Sequence, residues 1–80
     1  MTYITGAGID GTNHTMRIDY DGGQQPVYIG YAPIGTLTSE SKWTIKKYIY
    51  IDNMMTEMLF AESSNTFDKC WDDRDTYVYV

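Results

Sequence analysis

The sequence predicts a mainly all-β fold: a small antiparallel β-sandwich or half-barrel of about five strands, with one short helical turn near residues 66–72. Three observations predict it. Apolar and polar residues alternate with a period of two along most of the chain, the signature of half-buried strands. Those stretches use strand formers, with 8 Tyr, 2 Trp and many Ile, Val and Thr. Short clusters of Gly, Asp, Asn and Ser separate them, and neither a long helical pattern nor an internal repeat is present.

Residues 1–13 read as an N-terminal arm and 14–80 as a single β domain. The arm contains "TGAGIDGTN", which spells G-x-G-x-x-G. It neither follows a strand nor opens a helix, and the chain has no room for a βαβ unit, so it is no phosphate loop. In "HTMRIDY", Met16, Ile18 and Tyr20 fall on one face and Thr15, Arg17 and Asp19 on the other. Asp21-Gly22-Gly23 supplies residues that tolerate positive φ in a turn. Pro26 suits the start of the next strand, in which Val27, Ile29 and Tyr31 oppose Tyr28, Gly30 and Ala32.

"APIGTLTSES" is a polar, turn-rich connection into the strongest strand, "KWTIKKYIYID". Trp43, Ile45, Ile49 and Ile51 share one face with Lys47. Lys42, Thr44, Lys46, Tyr48 and Tyr50 share the other. Asp52-Asn53 is a two-residue turn signal, so "MMTEMLFAE" is read as the return arm of a hairpin, although Met, Glu, Leu and Ala favour helix. "ESSNT" is a loop, and "TYVYV" a last strand.

At 80 residues the chain removes only about 60–65 % of its unfolded surface from water, which leaves a lone fold marginal. Chains of this size usually add disulfides, a metal or oligomerisation. A single cysteine forbids an internal disulfide, and Cys70 and His14 are too few for a structural zinc. Oligomerisation or docking on a larger assembly remains. The formal charge of −5 argues against a nucleic-acid partner, which calls for a basic patch. It is also uneven: Glu57, Glu62, Asp68, Asp72, Asp73 and Asp75 crowd the last third against Lys69 and Arg74. Such polarity can orient a small domain against copies of itself. The N-terminal residues lack a signal-peptide pattern, and no run reaches the roughly 20 apolar residues of a membrane span. The expectation is a product made in the cytoplasm, with no membrane partner.

"NTFDKCWDDRD", residues 65–75, concentrates the chemically suggestive residues. Its acids lack the spacing, the glycine and the closing glutamate of a calcium loop. Cys70 has only His14 as a conceivable base, and no third orienting residue is recognisable. No metal, cofactor or catalytic role is therefore assigned. The architectural reading accounts for more: Asn65 or Thr66 caps a helical turn, with Phe67, Cys70 and Trp71 at i, i+3 and i+4 on one side of it. With Trp43 they form a structural plug over the core, and Arg74 pairs with a neighbouring Asp or a carbonyl. Separately, Tyr28, Thr44, Tyr48, Tyr50, Tyr77 and Tyr79 are expected to form a contact surface, because tyrosine is enriched where proteins meet.

From Pro26 to Val80 the chain also resembles a group of small structural proteins of tailed bacteriophages. The matching residues are Tyr28-Ile29-Gly30, the strand Trp43, Ile45, Lys46 and Lys47, and the segment Phe67-Asp68, Trp71-Asp72 and Arg74. The N-terminal 25 residues carry none of it, and "MMTEMLFAE" departs from the Gly- and Asp-rich hairpin of that group. The resemblance implies a non-enzymatic virion component of head, neck, tail or fibre, located in the virion, whose partners are other virion proteins and copies of itself. The alternative is a free-standing carbohydrate- or peptide-binding β module.

Overall fold

The structure, a computed structural model, describes residues 13–80. The arm expected over 1–13 lies outside the described residues apart from Asn13. Five antiparallel strands make one open sheet: β1 His14–Asp19, β2 Tyr28–Pro33, β3 Ser41–Ile51, β4 Met54–Phe60 and β5 Lys69–Cys70. The order is β1-β2-β3-β4. The long β3 is shared, its start pairing β5 (Ser41 with Cys70, Trp43 with Lys69) and its end pairing β4.

Local chemistry closes each hairpin. Between β1 and β2, Asp21 and Gly22 take positive φ (49° and 78°). The Asp19 carboxylate accepts from the Asp21 N–H at 2.8 Å, and the Asp19 carbonyl from the Val27 N–H at 2.8 Å. Between β3 and β4, Asp52 and Asn53 both lie at positive φ (52° and 64°), the type I′ geometry that matches strand twist. That turn makes Met54–Phe60 a strand despite its helix-favouring residues. The connection from β2 to β3 is held by Glu40, whose side chain accepts from the Leu37 N–H (2.8 Å), and by Trp43 Nε1–H donating to the Leu37 carbonyl (3.1 Å).

Register decides the faces. Gly30 opposes Ile45, Tyr28 opposes Lys47 and Arg17 opposes Gly30, so the Trp43–Ile45 face of β3 continues through Tyr28, Gly30 and Ala32. On this face lies the core: Ala32, Trp43, Ile45, Ala61 and Trp71 are buried, with Tyr28, Tyr77 and Tyr79 packed against them. Its cover is not a second sheet but the segment 71–80, which begins in the turn at Trp71. "TYVYV" makes a single bridge, Tyr79 to Ala61, flanked by a reciprocal pair of bonds between Phe60 and Val80.

The helical turn sits later than expected. It is a 3-10 turn over Trp71–Asp73. The Asn65/Thr66 cap does not form; Thr66 instead bonds Ser64 and Asp68 through its hydroxyl. With Lys69–Cys70 extended, the i, i+3, i+4 spacing no longer aligns Phe67 with Trp71. Phe67 is 38 % exposed and its ring lies 5.5 Å from that of His14.

Candidate functional site

The plug residues other than Phe67 do meet. The Trp43 and Trp71 ring centroids lie 5.7 Å apart, and Cys70 is buried beside them. Its thiol reaches the Thr38 carbonyl at 3.4 Å, and its N–H donates to the Tyr77 hydroxyl at 2.8 Å. Arg74 finds a partner that sequence reasoning did not weigh. It bonds Asp19 of β1 through Nε at 2.8 Å, donates from Nη1 to the Trp71 carbonyl at 3.1 Å, and lies 4.7 Å over the Trp71 ring. The Asp21 N–H first, and then Arg74, hold the Asp19 carboxyl below the usual range. Lys69, also unforeseen, is buried and pairs with Asp68. Among the described residues no three of His, Cys, Asp and Glu are grouped so that they could hold a metal ion.

The six residues expected to form one contact surface divide between two faces. Tyr28, Tyr77 and Tyr79 belong to the plug side. Tyr28 and Tyr79 rings stand 5.5 Å apart with the Lys47 ammonium over both, and the Tyr79 hydroxyl donates to the Arg74 carbonyl at 2.6 Å. Burial foremost, then its neighbours Tyr28 and Tyr77, pushes the Tyr79 hydroxyl well above the ordinary range. Thr44, Tyr48 and Tyr50 point the other way. The correction is one of register: Tyr28 is level with Lys47 rather than with Tyr48, and directly opposed residues share a face.

That opposite face is the candidate site. Cross-strand pairs build it in rows. Met16, Tyr31 and Thr44 make one; Ile18, Ile29, Lys46 and Phe60 the next; Tyr48 and Met58 a third. No described strand or helix lies across it, although Phe67 packs against His14 at its Thr44 end. Met16 is 51 %, Met58 42 % and Ile18 38 % exposed, values at odds with apolar side chains in the middle of strands. Thr44, by contrast, is fully enclosed by its neighbours, with its Oγ1 lacking a hydrogen-bond partner. Lys46 is the central charge. Its ammonium lies 5.4 Å from the Tyr31 ring centre and 5.6 Å from that of Phe60, and it belongs to no ion pair among the described residues. Burial, with Tyr31 and Tyr50 nearby, raises the Tyr48 hydroxyl above its usual range.

The period-two alternation already placed Met16 with Ile18, and Lys46 with Tyr48; what it lacked was the pairing that brings β1, β2 and β4 to the same side. Chemically the face offers an apolar and aromatic floor with Lys46 at its centre, which suits contact with a macromolecule and presents no nucleophile–base pair. No family model, no curated protein and no solved structure matches this chain.

Proposed function

We propose that the chain is a structural component of a tailed-bacteriophage virion, working by protein–protein assembly rather than catalysis. The observation that carries the assembly reading is the uncovered apolar face of the four-stranded sheet, Met16, Ile18, Tyr31, Lys46, Met58 and Phe60. A one-layer sheet of this size gains stability by laying such a face against another protein. The Tyr-Ile-Gly, Trp-x-Ile-Lys-Lys and Phe-Asp-x-x-Trp-Asp-x-Arg resemblance supports the phage setting, with synthesis in the host cytoplasm and residence in the virion. Quantitative mass spectrometry of purified virions tests it: the chain is expected in fixed stoichiometry with the other virion proteins. Recovery only from the soluble lysate, with none in particles, refutes it.

One observation favours the second reading, a free-standing binding module. At the far end of the sheet, Tyr20, Asp21, Gln24, Gln25, Tyr50 and Asn53 line an open cleft. Aromatic rings beside amides and a carboxylate suit a sugar. Saturation-transfer NMR with oligosaccharides distinguishes the two, since the assembly reading expects no transfer that Tyr20→Ala abolishes.

A further inference from the structure

The sheet ends on two edges, and only one of them is blunted. The outer side of β4 is capped where Phe60 and Val80 exchange hydrogen bonds and Ala61 bridges Tyr79. Its pairing with β3 also shifts register between Ile49 and Tyr50. Both features discourage a further strand from adding. β1 has neither. Its 6 residues contain no proline and hold one unbroken register with β2, and no described strand pairs with its outer side. The Asn13 and Asp19 carbonyls both turn inward, accepting from the Ile34 N–H at 3.4 Å and the Val27 N–H at 2.8 Å. Antiparallel alternation then directs the backbone groups of Thr15 and Arg17 toward β2 and those of Met16 and Ile18 outward. The side chains add a pattern of charge. Arg17 is exposed and joins no ion pair among the described residues. Two positions on, Asp19 shares a cleft with Asp21, Asp72 and Asp75, in which the cation is Arg74. One edge thus holds an unmatched cation and, beside it, carboxylates in excess.

We infer that β1 is a docking edge for β1 of a second copy, paired antiparallel about a two-fold axis at Ile18, so that the two sheets run on as one. Charge selects this register. Ile18 of each copy exchanges backbone hydrogen bonds with Ile18 of the other, and Met16 stands opposite Tyr20. Each Arg17 then stands opposite an Asp19 at the acid-rich end. Sliding each strand by one residue sets Arg17 against Arg17 at the axis. Such a pair has Cα atoms only about 4.5 Å apart, and like charges directly opposite are destabilising. One step further, with Met16 at the axis, Arg17 faces Thr15 and meets no acid. The contact is isologous, so it closes at the dimer. It also leaves the open faces of both copies on the same side of the joint sheet. Because it uses the edge rather than that face, it goes beyond the proposed function and stands independently of it.

Sedimentation, disulfide trapping and amide exchange on the full chain test this. So short an edge contact belongs with the small, transient interfaces below about 1,200 Å², so dimers are expected at high micromolar protein. Arg17→Glu, which circular dichroism melts check for folding, is expected to weaken the dimer by about tenfold or more; Arg17→Lys is expected to keep it. Trapping reads the register. With Ile18→Cys the two Cα atoms lie about 5.5 Å apart, within bridging reach, whereas with Arg17→Cys they are diagonal neighbours at about 7–8 Å. Oxidation is therefore expected to link Ile18→Cys and to leave Arg17→Cys largely unlinked, the buried Cys70 being common to both. The Ile18 amide is expected to gain protection from exchange in step with the dimer. Four results overturn the inference: a wild type monomeric at every concentration, association untouched by Arg17→Glu, Arg17→Cys linking faster than Ile18→Cys, or Ile18 protection that does not change with concentration. Absence from virions refutes the proposed function and leaves this contact standing; a monomer found in fixed stoichiometry in virions does the reverse.

Discussion

Gly30 is the residue on which the plug closes. A Cβ built there would stand 2.5 and 2.7 Å from Trp71 ring carbons and 3.2 Å from one of Trp43. Both indoles are buried, so neither can swing clear, and Gly30→Ala is expected to cost about 1–3 kcal/mol in urea denaturation through overpacking. Tyr79 sets a second dependence. Its hydroxyl is a hydrogen-bond donor to Arg74 only while protonated, and burial raises its folded pKa above the unfolded value of about 10. Its contribution is therefore complete below about pH 10 and is lost as pH climbs from there through the raised folded value. Tyr79→Phe is expected to lose about 1 kcal/mol at neutral pH and to flatten the alkaline limb of the stability curve; Tyr48, raised in the same direction, leaves a residual slope. At this scale the alternation told which residues of one strand share a side. It was silent on Arg74, whose partner Asp19 lies 55 positions away.

Elements show why the rest was hidden. β4 was legible through its turn rather than its composition: Asp52-Asn53 dictates a tight reversal, and strand geometry follows whatever Met, Glu and Leu prefer alone. Asn53→Gly, at φ 64°, is expected to raise stability by about 0.5–1 kcal/mol by removing the side-chain penalty of the left-handed region; thermal melts at fixed protein concentration read it. The segment 66–72 was the opposite case. Its apolar spacing fits a helical turn, but Cys70 is recruited as a strand partner by Ser41, and no local pattern announces a two-residue pairing with a strand that begins 28 positions earlier. Likewise Tyr28 parted from Tyr48 because register depends on both strands of a pair.

Across the whole molecule, the β class was readable from the period-two alternation and the strand-forming composition. The single open sheet was not, since the same alternation serves a sandwich. With the floor of that sheet bare, folding and association are expected to be linked. Over a hundredfold range of concentration the melting midpoint of the wild type should climb by roughly 5 °C or more, while that of Met16→Glu stays nearly constant. A wild-type midpoint independent of concentration speaks against any such linkage.

The two tryptophans, the whole of the chain's complement, sit as a tilted pair at 39° with one on β3 and the other on the 3-10 turn. Neighbouring indoles in that arrangement couple their electronic transitions, producing a split circular dichroism band that a separated pair lacks. The molecule thus carries a built-in optical gauge of whether the turn is seated. Loss of the split band before the sheet signal reports the turn lifting off an intact sheet, and simultaneous loss reports one cooperative unit, with no label attached.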